Sequence, residues 1–220
     1  MNESVIKTLV VALIVCLLCS LVVSSVAVSL RDAQNLNKLN DQRIKVLQAA
    51  GIYDDTKSIE EQFNSITSKL IDFENNAIVD SFGDIDLSTY DPVEYSKKDG
   101  YFTPIAPNDD IAVIKNREKF GKIFILKDSE NNLSKVILPI RGYGLWGTLY
   151  GYISLSSDLN TIEGLEFYEH KETPGLGGEV DNQKWKNMWV GKKIYGLKND
   201  VQFQVIKGSV DNESQLAIYQ

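Results

Sequence analysis

The chain has 220 residues, 43% of them apolar, and a formal charge of −7. That is enough for one membrane helix and one globular domain with its own core. The acidic balance, with no basic stripe, argues against a nucleic-acid binder, because neutralising phosphates needs a basic face.

Residues 8–30 carry no charge and are rich in Leu, Val, Ile and Ala. As a helix they extend about 34 Å, enough for the roughly 30 Å hydrocarbon layer, so the expectation is a spanning helix. A cleaved secretory signal is the rival, with small residues at 26–29, but the apolar run exceeds the ~7–15 residues of a signal core. Cys16 and Cys19 lie on one face of this run. No other ligand types accompany them, so bilayer packing is expected rather than a metal or redox site. Neither follows a small residue, which speaks against a lipoprotein attachment site. Orientation stays open on charge alone: Lys7 precedes the helix, whereas Arg31, Lys38, Arg43 and Lys45 follow it, and long domains translocate largely regardless of such charges.

From Arg31 to Ala50 apolar residues recur at helical spacing, and Gly51 is a suitable C-cap. This predicts a stalk helix whose apolar side packs on the domain or on a partner subunit; fewer than three clean heptads argue against a coiled coil. Ser58, with Glu61 three positions on, predicts the start of a second helix, with Ile59, Phe63, Ile66 and Leu70 on one face. Residues 80–110 are rich in Asp, Ser, Tyr, Pro and Asn, and Pro92, Pro104 and Pro107 predict a long surface segment without regular elements.

Strands are predicted over 122–127 and 134–140, joined by the polar turn 128–132, then over 149–155 and 161–169. Such short links imply antiparallel pairing. Asn182 can cap a helix from Gln183 to about Val190 that turns Trp185, Met188 and Trp189 toward the core, and 202–207 is a last strand candidate. The predicted fold class is α+β: a twisted antiparallel sheet flanked by helices, preceded by one N-terminal transmembrane helix. Its divisions are 1–30 as anchor, 31–57 as stalk helix and linker, and 58–220 as the globular domain.

Two stretches carry the candidate chemistry. Residues 169–179 read Glu-His-Lys-Glu-Thr-Pro-Gly-Leu-Gly-Gly-Glu. Pro174 lacks an N–H and three glycines crowd behind it, which leaves a shaped loop. Gly175, Gly177 and Gly178 expose bare backbone beside the side-chain oxygens of Glu172 and Thr173, an arrangement suited to a flat ring with a polar edge. An ordinary surface turn has the same composition. Residues 141–147, Arg-Gly-Tyr-Gly-Leu-Trp-Gly, fall between two predicted strands; Leu145 and Trp146 suit either the faces of a ring or a core plug. The sole histidine, His170, has no nucleophile signature around it, which argues against hydrolase chemistry and for a structural or exposed residue.

Gly144-Leu145-Trp146 and the Glu-Thr-Pro-Gly-Leu-Gly-Gly-Glu run stand in an ordered series. Leu-Arg-Asp follows the anchor, then Ile-Leu-Pro, with Val-Gly-Lys-Lys and Ile-Lys-Gly later. Over essentially its whole length the chain resembles the C subunit of the bacterial sodium-translocating NADH:quinone oxidoreductases. The resemblance implies a periplasmic FMN-binding domain on a single-pass inner-membrane anchor. Within a multi-subunit complex, FMN would relay electrons from NADH-side centres toward ubiquinone, coupled to sodium transport. It implies that Leu145, Trp146, Glu172, Thr173, Leu176 and Gly177 lie against FMN, with Glu172 and Thr173 at the polar edge and Leu176 and Gly177 over the ring. Lys207 matches a family lysine and would face the phosphate or the reduced ring; a strand-end lysine in water is the plainer reading. No acid or base residue and no metal is implied. The family attaches FMN to the threonine of a Ser-Gly-Ala-Thr motif that does not occur here. The chain stops close to where that motif would fall, so the expectation is a sequence lacking its C-terminal part, with any FMN held without the ester. Two alternatives remain: a non-catalytic anchored assembly subunit, and the flavin subunit of the related ferredoxin-linked electron-transport complex.

Overall fold

The structure, a computed structural model, describes residues 2–83, 85–87, 89–206, 208, 210 and 217–219. It divides into two compact units, Met1–Asp41 and Gln42–Gln220.

The described residues of the first unit are all helical, being most of α1 (Asn2–Ala50). Its most apolar window has a mean hydropathy of 3.0 and none of it is buried, so α1 is long and apolar enough to cross a membrane. Three hydroxyls in this stretch bond within the helix: Ser20 to the Leu17 carbonyl at 2.9 Å, Ser25 to Leu21 at 2.7 Å and Ser29 to Val26 at 2.9 Å. Polar side chains satisfied in this way need no water.

In the second unit the last turns of α1 are core: Val46, Leu47, Ala49 and Ala50 are buried. The predicted C-cap is present. Gly51 has φ +72, its N–H donates to the Gln48 carbonyl, and the Ile52 N–H donates to the Leu47 carbonyl, both at 3.0 Å. These are the paired bonds of a Schellman turn, which requires a left-handed residue at Gly51.

The sheet has six antiparallel strands in the order β2-β1-β5-β6-β7-β8: β1 (Ile66–Asp72), β2 (Ala77–Val79), β5 (Phe120–Lys127), β6 (Leu133–Tyr143), β7 (Thr148–Ser156) and β8 (Ile162–Glu169). The strands β3 (Phe102–Pro104) and β4 (Asn116–Glu118) form a separate pair. Successive residues of β7 point to opposite faces, and two cores follow. Tyr152 joins Val46, Leu47, Phe124 and Ile137 under α1. Ile153 joins Leu155, Ile162 and Leu165 on the other side, with Trp185, Trp189 and Phe203 against them. The helix end packs so closely on β8 that a Cβ at Gly164 would stand 2.1 Å from the Ala49 carbonyl oxygen.

The strand predictions for β5 to β8 hold, as does the antiparallel pairing. Four expectations need correction. Ser58 caps α2 (Ile59–Phe63) as predicted, accepting from the Glu61 N–H at 3.2 Å, but the helix ends there. Ile66 and Leu70 belong to β1, where they are buried on a period of two, and seven pairs with β5 outweigh the helical spacing. The 80–110 segment is partly ordered: Asp91 caps α3 (Pro92–Tyr95) with Pro92 in the first turn, where its missing N–H costs nothing. Buried Tyr90 of this segment packs with Leu70 and Phe120. The helix capped by Asn182 is α4 (Gln183–Asn187), shorter than predicted; Trp185 and Trp189 pack inward while Met188 is exposed. Residues 202–206 form no strand, because the Gln202 and Phe203 N–H groups both donate to the single carbonyl of Ile194. Lys207 lies outside the described residues.

Candidate functional site

The turn from β6 to β7 is closed by the Gly144 N–H donating to the Gly147 carbonyl at 2.8 Å. It lifts Leu145 and Trp146 to the tip, 79% and 63% exposed. A core plug is therefore ruled out for Trp146. Tyr143, also exposed, donates its N–H to the Ala112 carbonyl at 2.8 Å, which fastens a neighbouring loop along the hairpin.

The second motif leaves the end of β8 as a loop and closes into a 3-10 turn over Gly177–Asp181. Its curvature comes from one acceptor: the Thr173 carbonyl takes the Leu176 N–H at 3.1 Å and the Gly178 N–H at 3.0 Å. Gly175, at φ +76, supplies the left-handed step a Cβ would strain. Leu176 stands out at 73% exposure.

The two motifs meet at Glu172. Its Oε1 accepts the Trp146 N–H at 3.0 Å. The same carboxylate fills the space beside two glycines: a Cβ at Gly144 would lie 2.4 Å from Oε1, and one at Gly177 would lie 2.5 Å from Oε2. Gly144 and Gly177 are thus glycine for room, not for backbone conformation. Of the residues singled out in the sequence, Leu145, Trp146, Glu172 and Gly177 are joined through these contacts and the chain between them, and Thr173 and Leu176 lie in the same short loop.

His170 enters the framework in a way the sequence did not reveal. Its Nε2 lies 2.8 Å from Asp181 Oδ2, and its Nδ1 accepts the Glu172 N–H at 3.2 Å. Behind the loop, Glu166 receives Lys186 Nζ on both oxygens at 2.7 Å and Lys45 Nζ at 3.2 Å. A cavity of about 520 Å³ opens there, bounded by Lys45, Tyr168, His170 and Lys186. Burial pushes the Tyr152 and Tyr168 phenols well above their usual range, so both stay protonated near neutrality and neither serves as a base.

Three apolar side chains held out to solvent, on loops that join at the Glu172 carboxylate between two glycines, fit a planar heteroaromatic group with a hydrogen-bonding edge. This class is the FMN-binding domain, and residues 144–215 match the FMN-binding domain family. The C subunit of the Na(+)-translocating NADH-quinone reductase of Pseudomonas aeruginosa is 43% identical over 223 residues, covering 100% of this chain and 84% of the relative. That of Vibrio alginolyticus is 37% identical over 215 residues, covering 97% and 82%. The crystal structure of Shewanella oneidensis NqrC superposes with a TM-score of 0.74 at 30% identity, covering 84% of this chain and 82% of that one. The chain belongs to the NqrC family, the C subunits of the Na(+)-translocating NADH-quinone reductases.

Proposed function

We infer that this chain is the FMN-carrying subunit of a Na(+)-translocating NADH-quinone reductase, and that the ring lies on the surface shared by Leu145, Trp146, Glu172, Thr173, Leu176 and Gly177. The observation that carries the location is the meeting of the two motifs at Glu172, whose Oε1 accepts the Trp146 N–H at 3.0 Å. FMN supplies the electron uptake and release when bound, and the protein supplies binding and electrostatics. Trp146 and Leu176 offer apolar area that keeps water from a ring face. Gly177 leaves room for the Glu172 carboxylate, and Glu172 offers acceptors to a donor on the ring edge. No side chain has to move a proton for the relay.

We put α1 across the inner membrane, with residues 1–30 as anchor and 31–57 leading into the 58–220 domain. Its unburied apolar window and its internally bonded hydroxyls support this. We put the globular unit on the periplasmic side, which the family likeness supports; the basic residues after the apolar run outnumber the one before it, but long domains translocate largely regardless of such charges. Partners are then the other subunits of the complex, near the membrane surface.

Replacing Trp146 and Leu176 by alanine together is expected to weaken FMN binding by about tenfold or more, since losing ~1.4 kcal/mol of ring contact gives that factor. Calorimetric titration of FMN into the detergent-solubilised chain measures it. Unchanged affinity with failed assembly into the complex would favour the non-catalytic docking role instead.

A further inference from the structure

His170 takes no part in the ring surface, yet both its ring nitrogens bond to the loop that carries it. Its side chain is 18% exposed and sits where β8 ends. Nδ1 faces the Glu172 N–H at 3.2 Å. A ring nitrogen that accepts from an N–H carries no proton of its own, so the hydrogen is on Nε2 and is donated to Asp181 Oδ2 at 2.8 Å. The imidazole therefore braces the entrance of the loop against the end of its 3-10 turn, which closes at Asp181. Glu172 is fixed twice as a result. Its backbone N–H is held by His170, and its carboxylate is held by the Trp146 N–H between Gly144 and Gly177.

We propose that His170 is a positioning residue for the flavin surface: by holding the Glu172 backbone it fixes the Glu172 carboxylate, and through it Trp146. The proposal rests on the flavin reading above. Of the two hydrogen bonds, the one at Nδ1 governs, because only that one reaches Glu172. The two isosteric amides separate them. Asparagine places its carbonyl oxygen near the position of Nδ1 and can accept the Glu172 N–H. Glutamine places its amide nitrogen near Nε2 and can still donate to Asp181.

The test is carried out on the full chain in detergent, first without flavin, by following hydrogen exchange of the Trp146 amide by NMR. That amide sits at an exposed turn, so its protection reports the bond to Glu172. H170A and H170Q are expected to speed its exchange by about tenfold, and H170N is expected to restore protection. FMN affinity, titrated separately, is expected to fall in H170A and H170Q and to recover in H170N. Wild-type protection of Trp146 in H170A, or rescue by glutamine and not by asparagine, would overturn the proposal. Exchange in the expected order with FMN affinity unchanged in all three variants would instead overturn the flavin reading of this loop, and the proposal with it.

Discussion

Replacing Glu166 by alanine is expected to destabilise the globular unit by about 3–5 kcal/mol, the cost of leaving a buried charge without its partner. Lys186 and Glu166 side chains are only 7% and 8% exposed, and Lys186 Nζ reaches both carboxylate oxygens at 2.7 Å. Lys45 from α1 adds a third member at 3.2 Å. A surface pair would be worth under about 1 kcal/mol; the difference here is that alanine leaves a largely buried ammonium group without its carboxylate. Urea denaturation of the full chain in detergent, followed by far-UV circular dichroism, measures the loss. The double substitution Glu166→Ala with Lys186→Met is expected to recover part of it, since the stranded charge goes too. A loss below about 1 kcal/mol in the single variant would mean that water reaches the triad.

The second large effect is expected at Gly164. A Cβ there would stand 2.1 Å from the Ala49 carbonyl oxygen and 3.0 Å from its carbon, both backbone atoms at the end of α1. Neither can turn aside as a side chain would, so Gly164→Val has to displace the helix end from β8. Overpacking of this kind costs about 3 kcal/mol or more. The same denaturation experiment checks it. A near-neutral outcome would show that α1 and β8 are not in contact at this point.

How much of this was legible in the sequence depends on how local the information is. Strands β5 to β8 were legible because alternating apolar runs are bounded by polar turns such as 128–132. Ile59, Phe63, Ile66 and Leu70 fit a helical face, but Ile66 and Leu70 also fit a period of two. The choice between them is made by β5, some fifty residues away, with Ile66 opposite Leu126 and Leu70 opposite Lys122. In the sequence Pro92 has the look of a breaker, because the local pattern does not show that Asp91 caps a helix that begins there.

The candidate site divides in the same way. Glycine density marked both loops, Pro174 the second of them, and the ordered series of motifs marked the family. What composition could not supply is that Glu172 occupies the space beside Gly144, so that the first motif ends against the second. The imidazole brace was equally hidden, although a histidine two positions before a loop glutamate is the kind of short-range pairing that could have drawn attention to it. Lys45, Glu166 and Lys186 come from three separated parts of the chain, and no periodicity connects them.

The place of the flavin is decided by a crystal structure of the full chain with FMN bound. The isoalloxazine ring is expected within about 4 Å of the Trp146 and Leu176 side chains, with a ring-edge donor on Glu172. A ring seated elsewhere, for instance in the cavity between Lys45 and Lys186, with Trp146 and Leu176 still bare, would refute that placement.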